Sequence, residues 1–218
     1  MHSHRDFAFN TEVYAKGTVG YRRGDVTVSG PSNCNCTTDA GSMNLAAINA
    51  CEGDTVIAIF NNNFVNDGND ILRFILHTNP AIPAGTILAW NTTPSFTFLP
   101  GMIPGVTYYI SAIAGNDDGA GNVDLNDPCR SIAQGTPVVF FTMPTASLGA
   151  GDTICIGTQA MIPVTLTGVA PFSLTWALNG IQQPTAVNIP TSSYTLAIQP
   201  VANTVITLVS VSDSRCSA

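Results

Sequence analysis

Residues 114–129 read AGNDDGAGNVDLNDPC, which places Asp117, Asp118, Asp124 and Asp127 among glycines and asparagines just before Cys129. Carboxylates at this density offer hard oxygen ligands and suit Ca²⁺, an ion that accepts many oxygens in irregular geometry. The run is not an EF-hand, because Asn116, Asp118 and Ala120 break the alternation of ligands and no glutamate closes it. A pair of carboxylates working as acid and base on a glycosidic bond is a second chemistry, but no cleft or raised pKa is marked in the sequence. Asp, Asn and Gly are also ordinary turn residues. The loop is therefore a calcium candidate or a solvated connection.

Other chemistry is thinly represented. No GxSxG elbow is present. His77 sits between apolar neighbours as a structural histidine would, and His2, His4 and His77 lack zinc-site spacing to any cysteine. No enzyme template fits, and the chain is read as a non-enzyme. Arg23-Gly24-Asp25 spells an RGD tripeptide that a hairpin turn explains equally well, and Asn91-Thr92-Thr93 reads as a turn.

The elements that would position these residues are strands. Charged residues are only 10% of the 218-residue chain while apolar residues reach 45%, a balance that favours folding over disorder. β-Branched and aromatic residues with 19 Gly and 14 Pro favour strands and turns. Strands are predicted over 43–49, 54–60, 71–77, 86–90, 95–98, 106–114 and 136–142. The pattern restarts after Pro144, with strands over 145–148, 160–166, 172–178, 186–189, 193–199 and 204–211. This spacing predicts an all-β chain of tandem antiparallel immunoglobulin-like β-sandwiches, with Trp176 plugging the second core. Residues 34–143 form the first, acidic sandwich and 144–218 the second, which lacks its last strand. Residues 1–33 are a strand-like segment that finishes a preceding module or is donated to a neighbour.

In a seven-strand sandwich the loops 61–70 and 115–135 share one pole, which brings Asp67 and Asp70 toward Asp117, Asp118, Asp124 and Asp127. The net charge of −7 lies almost wholly in residues 34–143. A basic groove for nucleic acid is absent. No apolar run is long enough to span a bilayer as a helix. The N-terminus has no apolar leader core, so the chain reads as a piece of a longer precursor.

Six cysteines without CxxC pairs indicate disulfides and an extracytoplasmic location. The simplest pairing joins Cys51 to Cys129 and Cys155 to Cys216, one bond within each sandwich. Plain sandwich topology places those partners at opposite ends, beyond the roughly 7 Å Cα limit, unless the 115–135 loop folds back. Alternatively, Cys51 bridges to Cys216 across the joint. Cys34 and Cys36 stay unassigned, free to pair with each other or to reach Cys129.

The stretches CEGDTVIA, DGNDILRFILHTNP, GTILAW, TPSFTF and GVTYYISAIAGNDDGAGNVDLNDPCRSIAQGTPVVF, followed by PTASLGAGDTICIG, VTLTGVAPFSLTW and SSYTLAIQPVANTVITLVSVSDSRC, resemble a known group. They are similar to the Ig-like repeat modules of giant secreted surface proteins of Bacteroidota, adhesins and gliding-associated proteins exported by the type IX secretion system. The resemblance covers roughly residues 34–218 and implies surface display, adhesion and fibre building. Asp54-Thr55-Val56 and Asp152-Thr153-Ile154 look like the O-glycosylation signal of such proteins, marking Thr55 and Thr153; strand-entry turns also favour Asp-Thr. The expectation is a structural or adhesive segment of an extracellular surface filament, with neighbouring copies or modules as partners. The alternative is a calcium-dependent module binding glycan or another surface.

Overall fold

Alternation of inward and outward side chains organises both halves of the chain. The computed structural model describes residues 36–80, 84–151 and 153–218, and the backbone of two short strands near the start. These strands, β1 (His2–Phe7) and β2 (Thr11–Lys16), pair as an antiparallel hairpin. The predicted strand material at 17–29 and Cys34 lie outside the described residues.

The first sandwich comprises β3 (Ile48–Cys51), β4 (Thr55–Ile57), β5 (Asp70–His77), β6 (Ile87–Asn91), β7 (Ser95–Thr97), β8 (Thr107–Asn116), β9 (Ser131–Ile132) and β10 (Thr136–Phe141). Its larger sheet runs β3-β10-β8-β5-β6, with β9 beside the end of β8, and the smaller sheet is β4-β7. Phe74, Leu76, Tyr108, Ile110, Val138 and Phe140 from the first sheet and Val56 and Phe96 from the second share one core. One pair, β3 with β10, is parallel. The strand expected over 43–49 begins only at Ile48, and Met43 makes an isolated bridge to Phe60. The Asn44 side chain accepts the Ala46 N–H at 2.8 Å, a local turn that competes with the ladder.

The outer face of the large sheet is also covered. Ile75 and Ile113 are fully buried there, together with Ala84 from the 78–86 connection and Val123 from the acidic loop. Burial on both faces explains why ILRFILH and YYISAIA read as near-continuous apolar runs rather than clean alternation. His77 lies on this face, 1% exposed. Its Nδ1 is 2.9 Å from the Ala84 carbonyl, which can only accept, so Nδ1 carries the proton. Nε2 then accepts the Ser111 hydroxyl at 2.8 Å.

The second sandwich comprises β11 (Thr145–Leu148), β12 (Ala160–Thr167), β13 (Phe172–Leu178), β14 (Ile181–Gln182), β15 (Ala186–Ile189), β16 (Ser193–Ile198) and β17 (Ile206–Ser212). One sheet is β11-β12-β16; in the other, β13 is flanked by β14 and β15 on one side and β17 on the other. On β12 the pattern is a strict alternation, with Ala160, Ile162, Val164 and Leu166 buried. The core also holds Phe172, Leu174, Leu196 and Val211, with Trp176 half-buried against it. β17 pairs Ser210 with Thr175 but Leu208 with Trp176, so Val209 is an extra residue in the ladder. That bulge shifts the inward parity from Ile206 and Leu208 to Val211.

Burial holds the His77 pKa below its ordinary value, against opposing hydrogen bonds at the Ala84 and Asn79 backbone. The folded chain therefore resists a proton that the unfolded chain takes up near pH 6.5. Stability from this site is complete above that pH and declines below it until the folded pKa is passed. Urea midpoints measured from pH 7.5 to pH 5 should fall for the natural chain and stay flatter for His77→Gln. Equal slopes would remove His77 as the cause.

Candidate functional site: an acidic loop, a joint and an open edge

The acidic loop is a folded cover rather than a free tether. It first extends the β8 turn as a small ladder, with Asp118 N–H bonded to Asn122 O and Asp124 N–H to Asn116 O, both at 2.8 Å. Val123, 1% exposed, then inserts against Ile75 and Ile113. The Gly121 carbonyl accepts Arg73 Nε at 2.6 Å. Gly115 makes room for this, since a Cβ there would stand 2.8 Å from Asp127 Oδ2 and 2.9 Å from Val123 Cγ1.

The carboxylates are largely committed to that fold. Asp117 Oδ1 accepts the N–H groups of Gly119 and Gly121, and Asp118 Oδ1 those of Ala120 and Asn122. Asp124 Oδ1 accepts from Asn126. Asp127, 8% exposed, takes Asn116 N–H on one oxygen and Cys129 N–H on the other, each at 2.8 Å. Asp67 and Asp70 accept the hydroxyls of Thr37 and Thr38. The register of Asp70 opposite Asn116 puts both loops at one pole. Among the described residues, no three His, Cys, Asp or Glu side chains gather as a metal site.

The disulfides overturn the pairing of Cys51 with Cys129 and Cys155 with Cys216, and match the alternatives of a Cys51–Cys216 bridge and a Cys36 bond to Cys129. Cys129 is bonded to Cys36, with Cα atoms 5.1 Å apart, and Cys51 to Cys216, with Cα atoms 5.8 Å apart. The reason is direction. Cys129 lies near the Asp70–Asn116 end of the large sheet, whereas β3 and β10 carry Cys51 and Phe141 to the other end. Cys155 is exposed and, among the described residues, has no disulfide partner.

The Cys51–Cys216 bond forms the joint between the sandwiches. Asp213 shapes the turn that presents Cys216: its Oδ2 accepts Val169 N–H, and its Oδ1 accepts the N–H groups of Arg215 and Cys216. Burial pushes the Asp213 pKa up, but these three donors and the Arg215 charge together outweigh it and hold the carboxyl below its ordinary value. The Arg215 guanidinium stacks 4.8 Å over the Phe141 ring.

The second sandwich carries an open edge. Its β17 occupies the place that β8 holds in the first sandwich, where β10 pairs along the far side and buries Val138 and Phe140 completely. Beside β17, among the described residues, only Ser217 and Ala218 turn back, bridging Ser212 and exchanging hydrogen bonds with Val211. From Ile206 to Ser210 this edge has no strand partner among the described residues, and it carries no charge or proline. Core residues near it, Ala146, Leu148, Trp176, Ile206 and Leu208, stay half-buried. At the pole away from the joint, Leu148, Ile154, Ile156, Ile162, Ile198 and Ile206 line a groove of about 560 Å³. Thr55 and Thr153 are both exposed.

No helix among the described residues is long and apolar enough to cross a membrane. A Val123→Ala change should lower unfolding stability by about 2 kcal/mol, the scale of losing a buried valine's methyls. A chemical-denaturation midpoint with unchanged slope would show this. An effect within about 0.5 kcal/mol, as for an ordinary surface position, would mean that the loop does not anchor there.

No protein-family model matches the chain, and no curated protein matches it. Among solved structures, the chain is similar to the fibronectin(III)-like modules of Clostridium thermocellum CbhA, at 16% identity and a TM-score of 0.31, covering 84% of this chain and 88% of that one. It is also similar to the FN1–FN3 domains of chicken CNTN1, at 12% identity and a TM-score of 0.31, covering 81% of this chain and 62% of that one. The sandwich architecture stands on the strand order and registers of the chain itself.

Proposed function

We propose that this chain is a structural segment of an extracellular surface filament, joined head to tail through strand exchange. The supporting observation is the β17 edge, which has no strand partner among the described residues and lies beside half-buried Trp176, Ile206 and Leu208. Natural proteins protect such edges with charge, proline or cover, and ITLVSVS has neither of the first two. Two disulfides support an oxidising, extracellular setting.

The donor in this reading is the segment before the first sandwich of a neighbouring copy. That segment leaves through Cys36, which is pinned to Cys129 at the pole opposite the joint. Laid along β17 from the joint to the far pole, it runs antiparallel, as β10 runs along β8. Val26 and Val28 alternate with Thr27 and Ser29, a period that fills a seam with one face. Each valine buried there would contribute roughly 1.5–3 kcal/mol. Such a contact between unlike surfaces propagates as an open array.

The test is light scattering and negative-stain microscopy on the full chain over a range of concentrations, with EDTA present. The natural chain should assemble. A folded Thr207→Lys, Val209→Lys double variant should remain monomeric, as should a chain lacking residues 1–33. A natural chain that is monomeric throughout would sink the filament reading. Assembly that disappears in EDTA would transfer the argument to the calcium-dependent surface-binding alternative.

A further inference from the structure

We infer that the Cys51–Cys216 bond is a redox-operated latch, which fixes the angle between the two sandwiches without holding either of them folded. The device works within one copy of the chain and needs no neighbour. Each cysteine is presented by a turn that is braced on its own side of the joint. In the first sandwich, Asp54 Oδ2 accepts Cys51 N–H at 2.7 Å, and the Phe141 carbonyl accepts Glu52 N–H at 2.8 Å. In the second, Asp213 N–H donates to the Cys216 carbonyl at 2.8 Å, and Ser214 N–H to the Val169 carbonyl at 3.0 Å. Val211 and Ala218 exchange hydrogen bonds beyond that turn, and the Asp213 carboxylate accepts from Val169, Arg215 and Cys216. Each of these hydrogen bonds begins and ends within one sandwich. Cutting the sulfur–sulfur bond removes none of them.

What the cut does remove is one of two covalent connections. β10 ends at Phe141 and β11 begins at Thr145, so residues 142–144 carry the chain across. The two cores do not merge there. The large core of the first sandwich draws its buried residues from between Ala40 and Phe140, and that of the second from between Ala160 and Val211. Arg215 is exposed, and its guanidinium over the Phe141 ring is a cation–π contact of the weaker, solvated kind. Modules without a large shared apolar interface move relative to one another unless something ties them. Here the bond is the tie. Once it is reduced, a few connecting residues absorb the motion as a hinge.

The reductant is a dithiol. Cys51 is half-buried whereas Cys216 is 4% exposed, so Cys51 Sγ is the sulfur within reach. One thiolate of the dithiol attacks Cys51 Sγ, breaks the bond to Cys216 and releases Cys216 as a thiolate. The second thiolate then attacks its own partner sulfur in the mixed disulfide, closes a cyclic disulfide and releases Cys51. The two dithiol protons pass to the two cysteines, so one protein disulfide and one dithiol yield two protein thiols and one cyclic disulfide.

The test is small-angle X-ray scattering of the monomer fraction from size-exclusion chromatography, paired with amide hydrogen exchange read by mass spectrometry. A full-length Cys51→Ser, Cys216→Ser double variant should show a larger radius of gyration and a broader distance distribution than the natural chain. A Cys36→Ser, Cys129→Ser double variant keeps the joint bond, and a dithiol should shift its scattering in the same direction. Amide exchange across residues 160–167 and 206–218 should stay as slow in the joint variant as in the natural chain. Scattering unchanged by loss of the Cys51–Cys216 bond would overturn the latch, because the noncovalent contacts would then suffice to hold the angle. Faster exchange throughout the second sandwich would overturn it as well, since the bond would then be part of what keeps that sandwich folded.

Discussion

One covalent contact decides how the two sandwiches present themselves: the bond from Cys51, at the end of a strand in the first, to Cys216, in the turn after the last strand of the second. Asp213 braces that turn, accepting the Arg215 and Cys216 N–H groups within it and the Val169 N–H from the neighbouring loop. With the chain crossing from β10 to β11 at the same place, the joint has two connections instead of one. The pole of the first sandwich away from the joint carries the acidic loop, and that of the second carries the groove lined by Ile154, Ile156 and Ile206 together with Thr153, Asn203 and Thr204.

Each pole then follows from how its backbone groups are satisfied. At the acidic pole, the carboxylates are acceptors for N–H groups that a long loop would otherwise leave unpaired, and Val123 gives the loop a purchase on the sheet. In the second sandwich the accounting is incomplete. β17 offers a row of donors and acceptors, and the side chains that β10 supplies in the first sandwich have no counterpart among the described residues. The two sandwiches are built alike, and the difference between them lies along one strand edge.

The sandwich fold was readable because period-two alternation and turn residues are local signals. TPVVFF and AMIPVTLT show it plainly, and both are strands. The covering of the outer sheet face was harder to see. Its trace was present in two near-continuous apolar strands and in a lone Val123 amid acids, but each reads as ambiguous without the other. Disulfide pairing could be narrowed to alternatives that included both observed bonds but not decided, because it depends on where a long loop returns the chain, a long-range outcome that spacing does not encode. The same holds for the carboxylates: residue type marked them as ligands, while their partners turned out to be neighbouring N–H groups.

The Cys51–Cys216 bond also sets the route of mechanical load. Tension applied to the backbone before Cys51 and after Cys216 passes through the bond itself, and the 165-residue interval that it spans is bypassed. Most of both sandwiches would then hang beside the load-bearing line. A pull strong enough to unravel an ordinary sandwich would meet a covalent tie before it reached the hydrogen bonds of β5, β8 or β13. Extensibility in such a chain would reside in the segments outside the tie, and reduction of one bond would convert a stiff link into a long, yielding one.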